Sequence, residues 1–517
     1  MTAHESQQLD TTLNLDTQLD TQLDTQLDIK HPDQDDRQNT NKWWTITGIG
    51  LGVFIFALDV YIVNLALPSM IESLHTSFAV IQWVVLSYLL VIAITVLSIS
   101  KLGDMWSKKK LYLIGMIIFT LSSLGCGLSS TVEMLIIFRA IQGLGAAFLS
   151  GLGTAIIVEA FPPEQRGLSL GIRAGVYGLG ITLGPTIGGL LLALGDWKLI
   201  FLINVPIGLI GIAIVARFVP PSVIRETSKS FDILGTLLLT LTLTCFTVGI
   251  TLSQNNSLDA SLVGYLFALA IAGFISFLIV ETSQEQPMLD LNIFRSREFS
   301  VGLILRFIGN LVMAGVIFIL PFFLQLIKQY PTEKAGLLLA IPPVIISITA
   351  PISGTLADRF GGRLISFIGL CLIGMSCIFF STFDADSSIL NYVLAIAPYA
   401  LGVGIFQSPN NSIIMGAAPA KQLGVASGLL SLSRILGQAV GVPIVGSIFS
   451  LVTIAAAKLA FDVDVTAAPI DSLVAGMHTT FQAIAAFLFI ATLFTTCFWW
   501  LDRFGTKQAN QETTLKK

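Results

Sequence analysis

Ser100-Lys101-Leu102-Gly103-Asp104-Met105-Trp106-Ser107-Lys108-Lys109-Lys110 joins two long apolar runs through a short, strongly charged turn. A near copy stands in the second half of the chain as Gly354-Thr355-Leu356-Ala357-Asp358-Arg359-Phe360-Gly361-Gly362-Arg363. One charged hairpin between apolar runs could be accidental. Two at matching positions imply a duplicated membrane fold whose halves face each other.

Composition identifies the solvent. Of 517 residues, 54% are hydrophobic and 12% charged, and the mean hydropathy is +0.82. A soluble domain carries about 25% charged residues, so half the expected charge is missing. A membrane span takes roughly 20 mostly apolar residues, and such windows follow almost back to back from Lys42 onward. The net charge of −4 is too small to suggest a nucleic-acid partner. All five cysteines (Cys126, Cys245, Cys371, Cys377 and Cys497) fall inside apolar runs. They are expected as free thiols, since disulfide frameworks occupy exposed loops of small secreted domains.

Residues 1–41 differ from everything after them. They repeat Leu-Asp-Thr-Gln from Leu15 to Asp28 and continue into polar sequence, with too little apolar surface to offset the entropy of ordering. A disordered tail over 1–41 is expected. About fourteen spans follow by the length rule. Six fall in an N-terminal half over 42–220, two inserted helices lie in 221–298, and six fall in a C-terminal half over 299–502. A short tail covers 503–517. Trp43, Trp44, Trp499 and Trp500 bracket the apolar region as interfacial anchors.

Connections after even-numbered spans hold most of the loop cations, among them Lys101, Lys108, Lys109, Lys110, Arg166, Arg173, Arg225, Lys229 and Lys421. Those after odd-numbered spans hold only Lys198, Lys328, Lys334 and Lys458. The positive-inside rule then predicts that both termini are cytoplasmic, in the cell (inner or plasma) membrane.

Three further stretches stand inside the spans: Leu58-Asp59-Val60-Tyr61-Ile62-Val63-Asn64-Leu65-Ala66-Leu67-Pro68, Phe138-Arg139-Ala140-Ile141-Gln142-Gly143-Leu144-Gly145, and Gly180-Ile181-Thr182-Leu183-Gly184-Pro185-Thr186-Ile187-Gly188-Gly189. With the two hairpins, they resemble the major facilitator superfamily and, within it, the fourteen-helix branch of drug:proton antiporters. The resemblance runs from Trp43 to Trp500. It implies an all-α polytopic membrane protein with two six-helix halves and two additional helices between them.

An aspartate inside an apolar span is costly and usually faces a cavity or a partner. Asp59 could carry a coupling proton, attract a cationic substrate, or be held structurally by hydrogen bonds. Tyr61 departs from the branch pattern, which has Thr there. Arg139 matches the arginine that the resemblance implicates in proton coupling. A mid-span arginine must pair with an acid, carbonyls or water, so a fixed clamp to a carbonyl stands beside that reading.

Gly180, Gly184, Pro185, Gly188 and Gly189 resemble the antiporter motif of exporters. Small residues permit close helix approach, and the proline removes a backbone hydrogen bond and allows a bend. The first hairpin supplies Gly103, Asp104, Lys108 and Lys109 to the resemblance, with Ser100, Met105 and Ser107 replacing Gly, Arg and Gly. The second keeps Gly354, Asp358, Arg359 and Arg363. Acids at helix ends can pair with basic residues or helix N-termini, so these hairpins could latch the halves on the cytoplasmic side. Asn64, Gln142, Asn310, Gln407, Asn410 and Arg434 are candidates to line a cavity, although interhelical hydrogen bonds are the more natural use for most of them.

The resemblance implies export of small amphipathic or cationic compounds in exchange for protons, by alternating access. A dedicated transporter of one endogenous metabolite is the rival within the class. A membrane-embedded enzyme or sensor is a remoter one, since only His75 and His478 lie near the apolar region and no metal-binding or phosphate-loop motif is present. No cofactor or metal is expected. The expected partners are a small-molecule substrate, protons and the bilayer, with a periplasmic adaptor if the cell has an outer membrane. A monomer is the default.

Overall fold

The computed structural model describes residues 32–162, 165–221, 232–252, 260–283, 291–419, 423–458 and 464–515. The repeat over 15–28 and the cations Arg225, Lys229 and Lys421 lie outside the described residues. Among the described residues there is no strand. Fourteen long helices lie among the described residues: α1 (Pro32–Ser73), α2 (Phe78–Met105), α3 (Lys108–Gly127), α4 (Val132–Ala160), α5 (Arg166–Ala193), α6 (Asn204–Phe218), α7 (Ile233–Leu252), α8 (Ala260–Ser283), α9 (Arg297–Phe322), α10 (Ile341–Phe360), α11 (Gly362–Phe380), α12 (Ile389–Ala417), α13 (Leu423–Ala457) and α14 (Ile470–Leu515). Short turns at Leu199–Leu202 and Thr332–Leu339 lead into α6 and α10.

Among the described residues, thirteen helical segments are long and apolar enough to cross a membrane. The fourteenth apolar helix, Leu234–Ile250 in α7, is shorter. The helices run past the expected tail boundaries, since α1 starts at Pro32 and α14 ends at Leu515.

The duplication is physical as well as sequential. In the first half α1 packs on α5, α2 on α4 and α3 on α4. In the second half α9 packs on α13, α10 on α12 and α11 on α12. Within lipid, apolar burial does not drive helix association, so close approach of small residues carries it. A Cβ at Gly115 of α3 would stand 2.2 Å from Cβ of Phe148 and 3.2 Å from the Gly145 carbonyl of α4. The matching crossing of α11 on α12 is as tight, with Gly369 facing the Phe406 nitrogen and the Gly402 carbonyl. Helices α7 and α8 pair with each other, and α7 rests against α2 and α13.

The two charged hairpins turn differently. Gly361 adopts φ 90°, a conformation that side chains disfavour, and it ends α10 and begins α11 in one residue. At the matching position Ser107 is extended, with φ −67°, and its hydroxyl caps α3 by accepting from the Lys110 N–H. The replacement of Gly by Ser therefore has a local cause: a side-chain cap substitutes for a left-handed turn.

The halves meet at the cation-poor end, where α1, α5, α9 and α13 finish. The Phe78 ring at the start of α2 lies 5.5, 4.9 and 5.7 Å from the rings of Phe318, Phe322 and Phe449. The Phe78 N–H donates to Oδ2 of Asp464 at 2.8 Å. A π turn, Phe323–Ile327, projects Gln325 so that Nε2 donates to the Leu65 carbonyl at 2.9 Å.

Towards the cation-rich end, which holds the charged hairpins, α5 and α10 part. A Cβ at Gly189 would stand 2.8 Å from the Thr332 carbonyl, and one at Gly178 would stand 3.3 Å from Oγ of Ser347. A Cβ at Gly175 or Gly171 would meet nothing within 4 Å. The bundle is sealed at one end and splayed at the other.

Candidate functional site

Five helices of the first half converge on one buried polar cluster. Arg139 and Gln142 stand three residues apart on α4 and so share a face. Arg139 Nη1 donates to Oδ2 of Asp59 at 2.5 Å and to Oε1 of Gln142 at 2.7 Å, while its Nε donates to the Val84 carbonyl of α2 at 2.8 Å. Gln142 Nε2 donates to Oδ1 of Asp59 at 3.0 Å and to Oγ of Ser123 on α3 at 2.7 Å. Asn204, opening α6, donates Nδ2 to the same carboxylate oxygen at 3.2 Å. The guanidinium lies 4.1 Å from the centre of the Tyr88 ring. Asp59, Gln142, Asn204 and Ser123 are fully buried and Arg139 is 1% exposed.

Arg139 clamps the Val84 carbonyl and at the same time pairs with an acid. A buried pair of this kind is tolerated because each charge has its counter-charge and further hydrogen bonds satisfy the remaining lone pairs. Two atoms are left over. The Tyr88 hydroxyl and Oδ1 of Asn204 are buried with no hydrogen-bond partner among the described residues. They stand beside the carboxylate and the guanidinium, ready to accept or donate if the pair rearranges.

The antiporter-like glycines divide between two faces of α5. Gly180, Gly184 and Gly188 lie against α1, where added Cβ atoms would approach Ala57, Tyr61 and Ile62. Gly189 and Pro185 instead face the opposite half, and a Cβ at Gly336 would stand 2.4 Å from the Pro185 carbonyl. One face thus holds α5 to its own half, and the other forms part of the seal.

At the hairpins, Gly103 packs on Leu152, and Lys108 Nζ pairs with Glu159 of α4 at 3.0 Å. Lys109 is half-buried, and the Asp104 side chain lies outside the described residues. In the second copy Gly354 approaches Ser408, Asp358 and Arg359 are exposed, and Arg363 pairs with Glu298 of α9. The Lys108 and Arg363 pairs each join helices of a single half.

Of the candidate cavity residues, Asn64 does line one, a mostly apolar space between the halves. Tyr61, Ile181, Pro185, Met313, Ile346 and Tyr399 are among its other walls. Asn64 also donates to its own Val60 carbonyl at 2.7 Å. Asn310 donates to the Arg306 carbonyl, Gln407 to Sδ of Met313 and Asn410 to the Gly302 carbonyl. Arg434 Nη1 donates to the Tyr177 hydroxyl of the other half at 3.3 Å. Sequence reading missed Asn204, Ser123, Arg173 and Arg306. Arg306 stands inside an apolar run, which was signal enough. Arg173, grouped with the loop cations, lies within α5.

A family model described as Major Facilitator Superfamily matches residues 49–442. The chain is 36% identical over 414 residues to a protein of Clostridioides difficile named riboflavin transporter RibZ, covering 79% of this chain and 88% of the relative. It is 30% identical to multidrug resistance protein Stp of Mycobacterium tuberculosis, over 80% of this chain and 76% of that one. A crystal structure of a bacterial homologue of the human lysosomal transporter Spinster, inward-facing and unoccupied, superposes with a TM-score of 0.63 at 16% identity, over 88% of this chain and 96% of that one.

Proposed function

The chain belongs to the Major Facilitator Superfamily, a multi-span membrane transporter of small molecules, and on that footing we propose that it exports small amphipathic compounds across the plasma membrane in exchange for protons. The observation that carries the reading is the sealed Asp59–Arg139 pair. An acid whose one counter-charge is a buried arginine has two arrangements: ionised and paired, or protonated and released. In the outward-open state, proton arrival from the cation-poor side would neutralise Asp59 and free Arg139 towards the Tyr88 hydroxyl; re-forming the pair on return to this sealed conformation would deliver the proton to the cation-rich side. By the positive-inside rule the splayed end is cytoplasmic, so this conformation is the one that loads cargo from inside. The domain limits at 42–220, 221–298 and 299–502 and the cytoplasmic placement of both termini are part of the same proposal.

A relative named for riboflavin favours a second reading, a transporter dedicated to one metabolite. Efflux of a panel of fluorescent amphipathic dyes from energised cells lacking their own pumps separates the readings. Export of several dyes that stops with a protonophore and with Asp59→Asn is expected. No export of any dye, with the protein confirmed in the membrane, would exclude the broad reading.

A further inference from the structure

Among the described residues, three arginines of the spanning helices, Arg173, Arg306 and Arg434, form no ion pair. Arg173 and Tyr177 stand one turn apart on α5, and Leu430 and Arg434 one turn apart on α13, so each pair shares a face. Arg434 reaches the Tyr177 hydroxyl at 3.3 Å across the halves. Arg306 of α9 donates Nε to the Leu430 carbonyl at 2.8 Å, and its Nη1 donates to Oδ1 of Asn411. Arg434 and Leu430 thus link Tyr177 of α5 to Arg306 of α9, with Arg173 one turn from Tyr177. Arg173 leaves its Nε buried with no partner. Among the described residues none of the three forms an ion pair, and their acceptors are a phenol, a carbonyl and an amide.

Three clustered cations inside a membrane bundle are expensive without negative charge. Arg139, by contrast, has Asp59. The cluster also stands where a cargo must pass. Gly178, beside Tyr177, is the last α5 glycine whose Cβ would touch α10 before the helices splay. One turn towards the sealed end, Ile181 and Ile346 begin the apolar cavity. A ligand there would meet guanidinium groups at the mouth and an apolar pocket behind them.

We propose that Arg173, Arg306 and Arg434 bind the anionic head of an amphipathic cargo, a carboxylate or sulfonate whose apolar body enters the cavity beside Tyr61 and Tyr399. This rests on the export reading and names its substrate class: an organic anion, not the cation that an aspartate on the first span suggests. Guanidinium groups suit such heads because they donate pairs of parallel hydrogen bonds.

Calorimetry on the full chain in nanodiscs of zwitterionic lipid tests it with two matched probes, 1-naphthalenesulfonate and 1-naphthyltrimethylammonium, against empty nanodiscs. The sulfonate is expected to bind at least about tenfold more tightly, and Arg434→Gln and Arg306→Gln to lose about tenfold each, as for charged hydrogen bonds. Arg434→Lys should retain part of the affinity. Equal or tighter binding of the ammonium by the wild type would overturn the proposal without reference to any variant. So would a sulfonate affinity unchanged in a monodisperse Arg434→Gln protein. Binding needs no gradient. A sulfonate that binds as expected but is not moved by a proton gradient in proteoliposomes would therefore sink the export reading and leave the anion site standing.

Discussion

Arg139 holds its Nη1 2.5 Å from Oδ2 of Asp59, with the two side chains 1% and 0% exposed. Each charge is therefore the other's solvent, and neither can be changed alone without consequence.

Asp59→Asn leaves Arg139 as a lone buried cation. Removing one partner of a buried pair destabilises by about 3–5 kcal/mol, so the variant should melt earlier than wild type in detergent or nanodiscs. Adding Arg139→Gln removes the stranded charge and should restore much of that loss without restoring transport. A double variant no more stable than Asp59→Asn would mean that the pair is not coupled.

Gln142 ties the pair to α3 through Ser123. Gln142→Leu removes one donor and one acceptor from charged neighbours, each worth about 1.5–3 kcal/mol, together with the neutral bond to Ser123. Lower thermal stability and slower efflux are expected together. Ser123→Ala removes only the neutral link and should cost about 1 kcal/mol or less, with efflux nearly intact.

The Gly336–Pro185 contact belongs to the seal, where an added Cβ would stand 2.4 Å from a backbone oxygen. Gly336→Val should keep the halves apart at the cation-poor end. The readout is labelling of a cysteine at Asn64, which lines the central cavity, by a membrane-impermeant maleimide added outside. Labelling should be faster with Gly336→Val than without it, and equal rates would remove this contact from the seal.

Asp464 joins the loop before α14 to the first N–H of α2, and it also accepts from the Thr466 N–H and hydroxyl. Asp464→Ala should likewise raise outside labelling at position 64. Its effect on melting should be small, within about 0.5–2 kcal/mol, as for a lost helix cap.

Fold legibility came from spacing. The paired hairpins and apolar windows indicate two six-helix halves and an inserted pair, because lipid allows few alternatives for a polar backbone. The limits of α1 and α14 were not readable, since polar sequence carries no hydropathy signal for a helix that continues beyond the bilayer. In the site, Asp59, Arg139 and Gln142 were readable as polar residues inside apolar runs. That they share one cluster was not, because it depends on α1, α4 and α6 converging. Nor was the division of labour among the α5 glycines, which only the positions of Ala57, Tyr61 and Gly336 reveal. Arg173 was obscured by its closeness to a loop, and its role depends on Arg434, far away in sequence.

The central claim is that proton binding at the Asp59–Arg139 pair drives cargo outward. Its most direct measurement uses purified protein in proteoliposomes with an imposed pH gradient, an internal pH-sensitive dye and a compound exported in the cell panel. Cargo movement that dissipates the gradient in wild type, with neither occurring in Asp59→Asn, is the predicted result. Cargo moving with no proton flux, or Asp59→Asn coupling the two as wild type does, would contradict it.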